Sequence, residues 1–142
     1  MVNSRSHYVL LDTDVWSAVF GHARSIAPEL PGRWKSALTA KSALIATQTR
    51  AEIISGTRRL GERRAESILR SLETLDVVPV TEEIVQAYAT LGHEAKQVGH
   101  PIHEKIHTGD RWIAATAIAL GISLFSADRM FTGAPRLTLF SA

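Results

Sequence analysis

The strongest constraint on the fold is the alternation of short apolar runs with segments of helical periodicity along the 142 residues. The run His7–Leu11 is rich in β-forming residues and nearly continuous in apolar character, which is typical of a strand buried on both faces of a parallel sheet. Four further runs are predicted to be strands: Ala43–Thr47, Asp76–Val80, Ile122–Ala127 and Arg136–Phe140. The alternation therefore predicts a three-layer α/β/α fold with a mainly parallel sheet of about five strands.

Helical patterns occupy the intervals between these runs. The predicted helices are Val15–Phe20, Arg33–Ala40, a helix from Thr49 that breaks at Gly56 or Gly61, Glu62–Leu75, Thr81–Gly99 and Asp110–Leu120. The last of them is apolar almost all round, which predicts that it is buried. Ala23–Pro31 is predicted to be a loop. Because the chain has the length of one ordinary domain, we expect residues 1–142 to form a single domain.

The composition indicates a protein of the cytoplasm. The apolar core of the N-terminal segment, Tyr8–Leu11, is too short for the central region of a signal peptide. The longest later apolar stretch, Ile113–Phe125, is too short to span a bilayer. The sequence has no cysteine, which excludes disulfides and thiolate metal sites and fits a reducing compartment. We therefore expect a cytoplasmic location and no membrane association.

Acidic residues follow the predicted strands. Asp12 ends the first strand, Glu52 lies one turn into the helix after the second, and Asp128 follows the fourth, while Asp110 opens a helix. Open α/β sheets build their sites at the carboxyl ends of the strands. These four side chains are therefore expected to converge, although they are far apart in the sequence.

Each acid also has a purely structural interpretation. Asp14, Asp110 and Asp128 stand where an N-cap would accept from the free N–H groups of a helix, and Thr49 and Glu52 have the spacing of a capping box. Asp12 differs because it ends a buried strand, where an uncompensated carboxylate is costly. A divalent ion would compensate several carboxylates at once, and oxygen ligands without cysteine favour Mg²⁺ or Mn²⁺.

Arginines crowd one segment of the chain, although the net charge is only +2 from 16 basic and 14 acidic residues. They are Arg50, Arg58, Arg59, Arg63, Arg64 and Arg70. A basic patch beside an acidic cluster is expected of a metal-using enzyme with an anionic substrate. The alternative is that these arginines form a solvated helix face.

Four segments carry a resemblance to a known family. "VLLDTDVWS", "ATQTRAEIISG", "GDRWIAATAIALG" and "LFSADRMF", in this order over nearly the whole chain, resemble a PIN-domain ribonuclease, and most closely a VapC-type toxin of a toxin–antitoxin pair. The resemblance implies a PIN-like fold and an acidic site that binds metal. It assigns the catalytic and metal-binding roles to Asp12, Glu52, Asp110 and Asp128. The position of Asp14 is often Asn in that family, so this residue is expected to support the site or to cap the helix.

The resemblance also implies a substrate and partners. It implies cleavage of structured RNA, with tRNA or ribosomal RNA as the usual targets, a VapB-type antitoxin that masks the acidic groove, often with an arginine-bearing tail, and a homodimer formed through helices beside the site. Thr13 and Ser126 are candidates to position water or phosphate. Arginines that hold phosphates position RNA without reading its sequence; the candidates are Arg50, Arg58, Arg59, Arg63, Arg64 and Arg111.

A competing motif lies just before Asp110. "HEKIH" matches the H-E-x-x-H signature of zinc proteases, in which His103 and His107 would bind Zn²⁺ and Glu104 would activate water. That chemistry needs a stable helix, and the pentapeptide has hardly two turns of room between Gly99 and Gly109. A third hypothesis is a PIN-like RNA-binding module without catalysis, in which the four acids are dispensable.

Overall fold

A computed structural model describes residues 4–20 and 30–141 of the chain. Its strands and α-helices, in chain order, are β1 (Tyr8–Leu11), α1 (Thr13–Val19), α2 (Leu30–Ala37), β2 (Ser42–Ala46), α3 (Thr47–Thr57), α4 (Glu62–Glu73), β3 (Asp76–Val78), α5 (Glu82–Val98), α6 (Thr108–Leu120) and β4 (Ser123–Phe125). The predicted loop Ala23–Pro31 lies, except for its last two residues, outside the described residues.

The four strands form one parallel sheet in the order β3-β2-β1-β4. At the centre, Leu11 is in register with Ile45 on one side and Phe125 on the other. The predicted fifth strand, Arg136–Phe140, contributes an isolated bridge between Leu139 and Leu124 instead of a strand. Apart from that strand, the predicted α/β fold and its mainly parallel sheet are confirmed.

Two apolar layers cover the two faces of the sheet. Leu10 belongs to a buried cluster with residues of α5 and α6, including Leu91 and Ile113. Its neighbours Val9 and Leu11 point the other way, into a cluster with residues of α1, α3 and α4. Successive residues of a strand face opposite sides, so a run buried on both sides must be apolar throughout. The three-layer arrangement thus follows from the continuous apolar character of β1.

Helices α5 and α6 are fixed by the residues at their ends and by their apolar faces. Thr81 caps α5, its hydroxyl accepting from the backbone N–H of Ile84, and glycines in the left-handed region, Gly99 at φ 73° and Gly121 at φ 67°, end α5 and α6. The five consecutive residues 113–117 of α6 are buried, which confirms the prediction of a buried helix. Helix α6 is therefore held rigidly, and its first turn reaches the carboxyl edge of the sheet.

Candidate active site

Asp12 lies where β1 passes directly into α1. Its backbone N–H donates to the carbonyl of Phe125 at 2.9 Å, so pairing with the neighbouring strand continues up to this residue. Helix α1 begins at Thr13 with Asp12 in the N-cap position. The expectation that Asp14 caps this helix is therefore wrong, because the helix begins before Asp14 and includes it in the first turn.

The carboxylate of Asp12 is buried and held by two donors. The residue is 6% exposed. Its Oδ1 accepts from the backbone N–H of Thr13 at 2.8 Å, and its Oδ2 accepts from the hydroxyl of Ser126 at 2.6 Å. Burial, with the nearby charges of Asp14 and Asp110, raises its pKa to about 7, although the two hydrogen bonds act in the opposite direction. Asp14 and Asp110 therefore each lie close enough to repel a charge on Asp12.

Asp14 extends this acidic group toward the segment after β4. Its Oδ1 accepts from the backbone N–H of Val15 at 2.6 Å and its Oδ2 from that of Ala127 at 3.2 Å. Burial raises its pKa, and the charge of Asp128 raises it further. Asp128 itself caps a 3₁₀ turn, as predicted, by accepting from Met130 at 2.9 Å. Asp14 thus connects the acids of β1 and β4.

Glu52 enters the group from α3. Its Oε2 accepts from the hydroxyl of Thr13 at 2.5 Å, and its Oε1 accepts from the side-chain amide of Gln48 at 3.1 Å. The predicted capping box of Thr49 and Glu52 is wrong, because α3 begins at Thr47, directly after β2, and Thr49 is buried within it. The first turn of α6 lies against the same carboxylate: a Cβ on Gly109 would be 3.1 Å from Oε1 of Glu52.

Asp110 completes the group from the first turn of α6. The helix begins at Thr108, so Asp110 does not open it as a cap. Its Oδ2 instead forms a hydrogen bond with Nδ1 of His107 at 3.0 Å. The structure therefore places Asp12, Glu52 and Asp110 on adjoining elements at one edge of the sheet, with Asp128 reaching them through Asp14.

The residues of this acidic site fit a divalent cation. They offer carboxylate oxygens, the donors that Mg²⁺ and Mn²⁺ prefer, and the charges of Asp14 and Asp110 add to burial in raising the pKa of Asp12. Among residues 4–20 and 30–141, no group of three or more His, Cys, Asp or Glu side chains is arranged to coordinate a metal ion. An ion held by three or more of these side chains therefore requires movement of at least one of them.

Comparison with known proteins places the fold in a family. The PIN domain model matches residues 9–137, which include all of the acids described above. The chain belongs to the PIN domain family. Proteins with a PIN domain are generally nucleases that use divalent ions. No match was found among curated protein sequences.

Solved structures with this PIN fold come from several bacteria. VapBC2 from Rickettsia felis bound to a promoter DNA fragment is 20% identical with a TM-score of 0.72, covering 94% of this chain and 97% of that one. VapBC-1 from nontypeable Haemophilus influenzae is 22% identical with a TM-score of 0.72 over 94% and 97%. FitAcB from Neisseria gonorrhoeae is 22% identical with a TM-score of 0.71 over 94% and 96%. At 20–22% sequence identity, these similarities show a shared fold and nothing further.

The candidate RNA-binding arginines of this PIN domain divide into two groups. Those on α3, α4 and their connection are exposed: Arg50, Arg58, Arg59, Arg63 and Arg64. Arg64 lines a cleft of about 310 Å³ that also includes Thr13 and Glu52. Arg111 is different, because its guanidinium donates to the carbonyl of His103 at 2.7 Å and to the hydroxyl of Tyr88 at 2.8 Å. These contacts hold Arg111 within the protein and favour a structural role over phosphate binding.

The HEKIH segment does not form the helix that a zinc protease needs. It comprises two 3₁₀ turns, Pro101–His103 and Lys105–His107, separated by Glu104 in an extended conformation. Nδ1 of His103 bonds to the carbonyl of His100 at 2.6 Å, whereas Nδ1 of His107 bonds to Asp110. The two histidines thus have separate partners, which argues against the protease hypothesis. The sequence does not predict the pairing of His107 with Asp110. The only signal for it is their spacing of three residues at the start of a helix, which allows their side chains to meet.

Proposed function

We propose that this protein is a Mg²⁺- or Mn²⁺-dependent endoribonuclease, the VapC-type toxin of a toxin–antitoxin pair, which cleaves structured RNA such as tRNA or ribosomal RNA. The observation that carries the proposal is the convergence of Asp12, Glu52 and Asp110, with Asp128 beside Asp14, at the carboxyl edge of a PIN-fold sheet. The toxin assignment is supported by the similarity of the fold to VapBC complexes.

In the proposed mechanism the carboxylates of Asp12, Glu52, Asp110 and Asp128 hold the ion or ions. A bound divalent ion supplies charge that stabilises the scissile phosphate and makes a water more acidic. Thr13 and Gln48 each donate to one oxygen of Glu52, and the backbone of Thr13 and the hydroxyl of Ser126 each donate to one oxygen of Asp12, so these donors orient both carboxylates. The pKa of Asp12 is about 7 in the metal-free protein, and a cation bound beside it would favour the ionised form that serves as a ligand.

The arginines on α3, on α4 and on their connection would form the positively charged surface that binds RNA. Arg58, Arg59 and Arg63 are exposed beyond the cleft that runs from Thr13 and Glu52 to Arg64. Phosphates bound along this path would place a neighbouring phosphodiester over the acids. Such contacts orient the RNA without reading its bases, so the RNA would be selected by its shape.

The proposal includes partners and location. A VapB-type antitoxin would mask the acidic site, and two copies of the chain would associate through helices beside it. A pocket of about 180 Å³ on that side is lined mainly by apolar atoms, including Ala51, Val80 and Trp112. Among the described residues no helix is long and apolar enough to span a bilayer, and we propose that the protein acts in the cytoplasm.

Mapping of RNA ends after induced expression tests the proposal. We expect the wild type to arrest growth and to create discrete new 5′ ends in total RNA, and Asp110→Ala to do neither. Glu94→Ala is the matched control, because Glu94 is an acid on α5 that pairs with Arg136. Purified protein should make the same cuts with Mg²⁺ or Mn²⁺ and none with a chelator. RNA binding with full growth inhibition in Asp110→Ala would instead support the non-catalytic module.

A further inference from the structure

The HEKIH segment has a close relationship to the acidic site that its zinc interpretation does not explain. The turn Lys105–His107 leads directly into α6 and so determines where the first turn of that helix lies. His107 Nδ1 is 3.0 Å from Oδ2 of Asp110. An ionised carboxylate can only accept, so the ring nitrogen is the donor. The bond therefore fixes one of the two oxygens of Asp110.

We infer that His107 is a positioning residue for the metal-binding carboxylate of Asp110, an inference that rests on the proposed function. By occupying Oδ2, the imidazole N–H leaves Oδ1 for the cation and sets the plane of the carboxylate. Both side chains are partly buried, with 24% of His107 and 30% of Asp110 exposed. Partial burial protects the bond from competition by water and makes it more directional than a surface contact.

The turn that carries His107 is itself fixed. The backbone N–H of His107 donates to the carbonyl of Glu104 at 2.9 Å, and the hydroxyl of Thr108 donates to the carbonyl of Lys105 at 2.6 Å. These bonds hold the ring at the start of α6. His107 is therefore placed before any ion arrives and loses little conformational entropy in holding Asp110.

A second anchor connects this segment to the helical layer. Arg111 follows Asp110, and its guanidinium bonds to the carbonyl of His103 and stacks 4.6 Å from the ring centre of Tyr88. His100 bonds through Nε2 to the carbonyl of Thr132 at 2.9 Å. His100, His103 and His107 thus have different partners, and of these three histidines only His107 bonds to a proposed metal ligand.

The inference predicts a specific effect on metal affinity. Removal of a residue that hydrogen-bonds to a metal ligand typically lowers the metal affinity by roughly 10- to 100-fold. We expect His107→Leu to weaken Mn²⁺ binding by about 10-fold, the lower end of that range. His107→Asn is close to leucine in size and retains an N–H donor, so it should restore affinity to within about 3-fold of the wild type.

The experiment is a titration of the full-length, metal-free protein with Mn²⁺, in which the electron paramagnetic resonance signal of free Mn²⁺ gives the affinity. Thermal unfolding without metal confirms that each variant is folded, and His107→Ala replaces His107→Leu if the leucine variant is not. His103→Ala is the matched control, because its ring bonds to a backbone carbonyl. We expect His103→Ala to bind Mn²⁺ like the wild type.

Three outcomes would overturn the inference, and they can be told apart. Equal affinity of the wild type and His107→Leu, with weaker binding by Asp110→Asn, rejects the role of His107 and leaves the metal site in place. An equal loss in His103→Ala assigns the effect to the segment and not to the hydrogen bond. Unchanged binding by Asp110→Asn rejects the proposed metal ligand itself, and the inference with it.

Discussion

The hydroxyl of Ser126 donates to Oδ2 of Asp12 at 2.6 Å, although 114 positions separate the two residues. Ser126 also accepts from the backbone N–H of Asp128 at 3.0 Å, so one hydroxyl connects the acid after β1 to the acid after β4. Parallel neighbours in the sheet make this contact possible, because β1 and β4 end side by side. The acidic site is thus a product of strand order.

Ser126→Ala should shift catalysis toward higher pH. The serine bond lowers the pKa of Asp12, so its removal makes the carboxylate harder to ionise. Hydrogen bonds to charged groups contribute about 1.5–3 kcal/mol, and we expect about a 10-fold or greater loss of cleavage rate at pH 7 with partial recovery at pH 8.5. Cleavage of a defined RNA across this pH range measures the effect. Ser123→Ala, in the strand β4 that precedes Ser126, should keep the wild-type profile; a matching shift there would reject the role of Ser126.

Asp12→Asn should separate stability from activity. In the metal-free protein the pKa of Asp12 is about 7 in the folded state, above its ordinary value of 3.8. Between these values the folded state binds more protons than the unfolded state, so the free energy of unfolding falls as the pH rises from about 4 to about 7. The decline amounts to at most about 4 kcal/mol.

Denaturant unfolding with a chelator at pH 5 and pH 8 measures this difference. The asparagine variant should lose most of the pH dependence and be the more stable protein at pH 8, while cleaving no RNA. Added Mn²⁺ should stabilise the wild type at pH 8 and not the variant, because the ion supplies the missing compensation. A wild type that is more stable at pH 8 than at pH 5 without metal would contradict the assignment.

The sequence was sufficient to locate the four acids but not to assign their hydrogen bonds. Asp12, Glu52 and Asp128 are found after strands because apolar runs and helical periodicity are local signals. The cap of α1 was assigned to Asp14 because both acids suit a helix start, and only the backbone of Asp12, at φ −73° and ψ 160°, shows that the helix begins after it. The predicted start of the helix, Val15, is two residues later than the observed start at Thr13.

The contacts of Arg111 escaped the sequence for a different physical reason. Its guanidinium bonds to Tyr88, 23 residues earlier, a contact that depends on how α5 packs on α6. A sequence shows the charge of an arginine and not the direction in which its long side chain runs, since the stem packs readily along apolar surface. Likewise, the partner of His107 depends on the 3₁₀ turn Lys105–His107, whereas the H-E-x-x-H pattern is typical of an α-helix.

Arg111→Lys should therefore reduce stability and leave RNA binding unchanged. Arg111 reaches the carbonyl of His103 and the hydroxyl of Tyr88 from two separate nitrogens of a planar group, which the single ammonium of a lysine does not match, so we expect a loss of about 2 kcal/mol in the free energy of unfolding. Binding of RNA by the Asp110→Asn variant, with and without Arg111→Lys, gives the affinity. Weaker binding with unchanged stability would return Arg111 to the set of phosphate ligands.

Arg64→Gln should have the opposite signature. Arg64 lines the cleft that holds Thr13 and Glu52. If its guanidinium binds a phosphate, the substitution should weaken RNA binding and lower the slope of log affinity against log salt concentration by about 0.7–1. Salt titrations of RNA binding measure the slope, and Arg136→Gln, which removes a cation paired with Glu94, is the control. An equal change in both variants would indicate an effect of net charge alone.

Gly109→Ala should impair the site with little cost in stability. A Cβ at this position would lie 3.0 Å from Nε2 of Gln48 and 3.1 Å from Oε1 of Glu52. Both atoms are at the ends of flexible side chains, so the clash is relieved by moving the carboxylate, and alanine also favours the helix by up to about 1 kcal/mol. We expect unfolding to change little and cleavage to fall at least about 10-fold, since small displacements of catalytic groups are costly. Gly92→Ala is the control, because its Cβ would meet Arg111 at an ordinary 3.6 Å. Full activity in Gly109→Ala would show that Glu52 need not occupy the position seen beside α6.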